Sequence, residues 1–162
     1  MNRRIVRIKE CPFAGKQNIN WNEVEAFLKK YIGKEILIDS TKDKILIPKG
    51  FPDEYTGSAY TKKLRGAVAK AKANATTELE ALVKQAENRR YVENKEDKHE
   101  KDASKGWYRY DTFFSIPVRG EDEKEYRENI YRATLVVRIN NRGCELYDVV
   151  NIKKEASKPL EP

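Results

Sequence analysis

Apolar residues recur every three or four positions in the first half of the chain and every second position in the last third. Asn20 is placed to cap a helix over 21–31, with Val24, Phe27, Leu28, Tyr31 and Ile32 on one face and Gly33 closing it. Two β-rich runs, 35–39 and 44–47, flank STKD and predict a hairpin, after which Pro48, Gly50 and Pro52 mark a boundary. A weaker alternation around Ile5, Val6 and Ile8 predicts a short edge strand.

The strongest period joins Tyr60, Leu64, Ala67, Val68, Ala71, Ala75, Leu79, Leu82, Val83 and Ala86. Alanine-rich sequence between them favours one long helix, or two broken near Asn74–Thr77. From Glu87 to Lys105 the chain is mostly charged and without period, and reads as a solvated loop. The period then becomes two: 108–118 and 131–139 alternate, and 144–153 follows a tight turn at 140–143 as a third strand. The expected fold is therefore α+β: N-terminal helices, including one long basic helix, packed on an antiparallel meander of about four strands with one open face. Residues 1–50 read as a helix-plus-hairpin extension, and 51–160 as the main unit.

Composition narrows the partners. Lys and Arg number 33 against 26 Asp and Glu, a net charge of +7, which favours polyanions over acidic substrates. Two distant cysteines cannot make a disulfide scaffold, and the N-terminus has no apolar signal region, so a cytoplasmic setting is expected. No run is long and apolar enough to span a bilayer. One histidine, no DxD or HExxH motif, and lysines alternating with the dense Glu96, Asp97, Glu100 and Asp102 argue against a metal site, and scattered glycines against a phosphate loop, so neither metal nor cofactor is expected.

Two groups of residues carry candidate chemistry. Lys62, Lys63, Arg65, Lys70 and Lys72 lie in a stretch without acids, which suits a phosphate backbone; a solvated helix face gives the same pattern. Arg109, Asp111 and Ser115 on one strand would lie beside Arg132, Thr134 and Arg138 on the next, facing one way. His99, the only histidine, precedes that strand and titrates near neutral pH, so it is a general acid–base candidate, although a surface loop also accommodates it.

The segments PDEYTGSAYTKKLRGAVAKAKANA, KHEKDASKGWYRYDTFFSIPV and YRATLVVRINNRGCELYDVVNIKKEASKPL resemble the phage-type members of the barnase–EndoU–colicin–RelE-like nuclease superfamily. The resemblance covers about Phe51 to Leu160. It implies a metal-independent endoribonuclease, encoded by a phage or mobile element, that cleaves tRNA or other host RNA by attack of the 2′-hydroxyl. RNA is the expected partner, with an immunity protein or other protein partner as a second expectation. Carried over by motif position, His99 is the acid–base group, Arg109 and Tyr110 belong to the first sheet strand, and Lys154 and Ser157 to the last. Arg132 completes the catalytic set and Arg138 joins the basic residues as a nucleic-acid contact, both from the face analysis. The alternative is a non-catalytic RNA- or protein-binding protein of the same fold.

Overall fold

The computed structural model describes residues 4–13, 18–94, 103–119 and 125–160. Its elements in order are β1 (Ile5–Arg7), α1 (Trp21–Leu28), β2 (Glu35–Leu37), β3 (Lys44–Leu46), α2 (Phe51–Gly57), α3 (Ala59–Lys62), α4 (Gly66–Ala75), α5 (Leu79–Lys84), β4 (Glu87–Val92), β5 (Trp107–Arg119), β6 (Glu125–Asn140) and β7 (Gly143–Pro159). Asn20 caps α1 through its side chain, which accepts from the Asn22 amide at 3.1 Å.

The strands form one curled sheet of seven, ordered β1-β5-β6-β7-β3-β2, with β4 also on β5. β4 runs antiparallel to the first half of β5, and β1 parallel to its second half, so the two share one edge. The hairpin β2–β3 docks by pairing β3 parallel to β7 at Ile45↔Cys144. This overturns the expected α+β meander of about four strands: the sheet is mixed, and it takes strands from both ends of the chain. The first fifty residues supply three of its strands. Hydrophobic period predicts strands but not which distant strand completes an edge, so the parallel pairings lay outside its reach.

The expected long basic helix is not present either. Residues 63–65 separate α3 from α4, with Arg65 extended and Gly66, at φ +61°, opening α4. A 3₁₀ turn, Thr76–Glu78, separates α4 from α5. None of the described helices exceeds ten residues. The 87–92 stretch, expected as loop, is a strand. Its apolar residues, Tyr91 and Val92, are adjacent rather than alternating, and a bulge at Asn88 (φ +59°) shifts the register, so no period-two signal exists.

One face of the long strands carries Tyr110, Phe114, Tyr131, Ala133, Leu135 and Val137, which are buried together with Val24, Leu28, Tyr55, Leu79 and Leu82 of the helices. The Thr112 hydroxyl donates to the Leu82 carbonyl at 2.9 Å, tying β5 to α5. Among the described residues no helix is long and apolar enough to cross a membrane.

Candidate nucleic-acid interface

The register of β5 with β6 is unbroken from Trp107↔Arg138 to Val118↔Arg127, so alternation sorts the side chains cleanly. Trp107, Arg109, Asp111, Phe113 and Ser115 share the outer face with Arg138, Val136, Thr134, Arg132 and Glu128. That face is less open than expected, since Asp111 and Ser115 are both buried. Long basic side chains roof it.

Asp111 is the centre. Its carboxylate accepts from Arg90 Nη2 and Arg132 Nη2, both at 3.1 Å, and from Asn88 Nδ2 at 2.8 Å. Its side chain is 7% exposed, whereas Arg90 and Arg132 are 40% and 44% exposed. Burial opposes the charge on Asp111, but Asn88, Arg90 and Arg132 outweigh it and hold the carboxyl below its ordinary range. The left-handed backbone at Asn88, a conformation asparagine tolerates, brings residues 88 and 90 to one carboxylate.

The same construction occurs twice more on this face. Glu145, opposite Arg138 in β7, accepts from Arg138 Nε and Asn140 Nδ2, each at 2.9 Å, with Arg142 at 3.6 Å. Burial again works against its charge and these partners again win, lowering its pKa. Glu128 lies under Arg7 at 3.5 Å and Lys158 at 3.6 Å. Each buried carboxylate thus holds two cations at the surface, and each group keeps a net positive charge. Arg109 and Lys153 share the face and make no ion pair with a described carboxylate. Trp107 meets the Tyr147 ring edge-on at 5.0 Å between centroids, and Arg138 lies 5.9 Å from the Tyr147 ring.

The remaining expected site residues go elsewhere. Tyr110 points to the opposite face from Arg109 and is fully buried, its hydroxyl donating to Asp43 at 2.6 Å. Asp43 also accepts from Thr41 at 2.7 Å and Arg89 at 3.0 Å, and Arg89 lies 4.6 Å over the Tyr108 ring. Burial, then the bond to Asp43, pushes the Tyr110 pKa far up, and that bond ties β5 to the β2–β3 turn. Lys72, expected to meet nucleic acid, is buried at 0% exposure with its ammonium 2.7 Å from Asp148 and 2.6 Å from Thr61. Lys154 and Ser157 pair with Tyr131 and Asn129, on the other face from Arg109 and Arg132. Ser157 is offset from Arg109 by seven residues along β6, roughly 23 Å of strand. Lys62, Lys63 and Arg65 are exposed, but at the α3–α4 junction and off this sheet face. Lys70 is half-buried on α4. His99 lies outside the described residues.

So the structure brings Arg109, Arg132 and Arg138 to one surface and separates Tyr110, Lys72, Lys154 and Ser157 from it. Sequence reasoning missed Asn88, Arg90, Glu128 and Glu145. An aromatic and a β-branched residue close ENRRYV, the one hint that this charged run pairs as a strand. Among the described residues no group of three or more His, Cys, Asp or Glu is placed to hold a metal ion. No family model, curated protein or solved structure matches this chain.

Proposed function

We propose that the outer face of β5–β6–β7 binds single-stranded RNA. The observation that carries this reading is the pair Arg90 and Arg132, fixed over one buried carboxylate. Asp111 removes much of the rotamer freedom that each arginine would otherwise lose on binding, while each guanidinium retains donors for phosphate oxygens. The nearby Trp107 and Tyr147 supply ring surface for unstacked bases, a combination that suits single strands better than a duplex. A cytoplasmic setting fits, with neither Cys11 nor Cys144 in a disulfide.

The test is binding of a single-stranded RNA across a salt series. If about five of the surface cations meet phosphates, log K should fall with log salt at a slope near −3.5. The double variant Arg90→Ala/Arg132→Ala should flatten that slope by about 1.4. A slope near zero, or one unchanged in the variant, removes this face from the interface; affinity for an acidic protein without affinity for RNA points to a protein partner instead.

Endonucleolytic cleavage is the second reading, and the same arginine pair favours it. Two guanidinium groups held beside one another by Asp111 keep further N–H donors that can bind a phosphate as charge builds on its oxygens during attack by the 2′-hydroxyl. His99 would then move the protons. Incubation of tRNA in excess chelator with the wild-type protein and with His99→Ala decides it: fragments lost in the variant support a metal-independent endoribonuclease, and intact RNA alongside tight binding leaves a binder alone.

A further inference from the structure

The acid-free stretch between Ser58 and Thr77 is not explained by the sheet face. Among the described residues, Lys72 alone of its five cations is neutralised, by Asp148. Lys62, Lys63, Arg65 and Lys70 form no ion pair with a described carboxylate, which leaves a local positive excess seeking an anion.

Two of these four border a cavity of about 540 Å³ on the helical side of the molecule. It opens between the entry to α1, which supplies Trp21, and the α3–α4 junction, which supplies Lys62, Leu64 and Arg65. Thr56 and Ala69, both buried, line it more deeply. No carboxylate is among its described lining residues. Arg65 does not swing freely: its Nη1 donates to the Lys62 and Leu64 carbonyls at 2.9 and 2.7 Å, which fixes the guanidinium at the rim and leaves its other N–H groups for a ligand. The volume falls within the range of small-molecule pockets, roughly 300–1,000 Å³.

We infer that this cavity is a nucleotide site, separate from the sheet face, in which Trp21 stacks on a base while Lys62 and Arg65 hold a phosphate monoester. A half-buried indole wall recognises a flat ring without demanding its identity. Two cations with no acid between them recognise the doubly charged phosphate. The shared chemistry is a base bearing a 5′-phosphate, whether a free nucleotide or the 5′ end of an RNA strand.

Trp21 reports its own occupancy. In the full chain carrying Trp107→Phe it is the only tryptophan, so its emission reads this cavity and not the sheet face. Adenosine 5′-monophosphate should quench it saturably, inorganic phosphate should reverse the quench, and adenosine should require at least about tenfold more ligand, a difference of ~1.4 kcal/mol. Lys62→Ala/Arg65→Ala changes two exposed side chains and should raise the adenosine 5′-monophosphate needed by at least about tenfold, to the level adenosine requires, without altering the far-ultraviolet circular dichroism. Arg90→Ala/Arg132→Ala should leave the quench intact, which separates this site from the RNA face. If a short 5′-phosphorylated oligonucleotide acts at lower concentration than the mononucleotide, the ligand is an RNA end; equal potency identifies free nucleotide. No quench, equal action of adenosine and its monophosphate, or loss of the signal only in the sheet-face variant would overturn the assignment.

Discussion

Replacing Lys72 by methionine keeps the length and apolar body of the side chain and removes one charge from the interior. In the native protein its ammonium lies between Asp148 and Thr61, with the Tyr55 and Tyr60 rings 4.4 and 5.0 Å away. Without it, Asp148 retains the Val149 amide at 2.8 Å but no cation. Breaking a buried pair from one side typically costs ~3–5 kcal/mol. The structure sets a ceiling, because the stranded carboxylate can escape by taking up a proton. Protonating an ordinary aspartate, pKa about 3.9, near pH 7 costs ~4 kcal/mol, and near pH 5 only ~1.5 kcal/mol. Burial already raises the Asp148 pKa against the pull of Lys72, so protonation is the accessible route. The sign follows: in the variant the folded carboxyl titrates above its unfolded value, so the protein regains stability as pH falls through that raised value. Urea denaturation should therefore show a loss of roughly 3–4 kcal/mol near pH 7 that shrinks to ~1.5 kcal/mol near pH 5. Lys72→Met/Asp148→Leu should recover most of it, since the pair as a whole contributes little net stability. A loss independent of pH, or below about 1 kcal/mol throughout, would refute the account of a stranded buried charge.

Three further outcomes follow from the geometry. Asp111→Ala removes a negative charge from the RNA face yet should weaken RNA binding, by about fivefold or ~1 kcal/mol, because Arg90 and Arg132 lose the group that orders them; tighter binding in an anisotropy titration would show that net charge, not arrangement, governs the face. Asp43, Asp111 and Glu145 all have lowered pKa values. Their stabilisation is present above the ordinary carboxylate range and is lost as pH falls through their folded values, so the denaturation midpoint should drop steeply below about pH 4, and less so in Asp111→Asn. Gly106, at φ +96°, would place a Cβ 2.6 Å from the Tyr91 hydroxyl. Gly106→Ala should cost roughly 2–3 kcal/mol from backbone strain and the clash together. Adding Tyr91→Ala should relieve the clash alone, and thermal melts showing no partial rescue would count against the contact.

Local elements were legible because local chemistry makes them. Asn20 caps α1, STKD turns the β2–β3 hairpin, and alternation around Tyr108–Phe114 and Tyr131–Val137 separates core from surface. Arg109, Arg132 and Arg138 could be placed on one face for the same reason. What was not legible depends on contacts between distant residues. Lys72 sits on a strongly basic segment, and nothing nearby in sequence shows that Asp148, 76 residues away, will bury it. Tyr110 follows Arg109 directly, so its side chain falls on the other face, where Asp43 from the hairpin captures it. The seven-stranded mixed sheet escaped for that reason as well: β4 hides its strand character behind a bulge, and β1 and β3 are too short to announce a parallel partner.

Those parallel pairings also set an order of events during synthesis. β3 ends at Leu46, but the residues it pairs with, Cys144 and Glu145, are made about a hundred residues later. At ~5–20 residues per second, the hairpin waits roughly 5–20 s for its place in the sheet. β1 waits as long for Phe113 to Ser115. During that interval Ile36, Ile45 and Val6, all buried in the finished protein, have no sheet to join. The N-terminal strands are thus the first made and among the last placed, and a ribosome-bound chain halted before Gly143 should be readily cleaved in its first fifty residues.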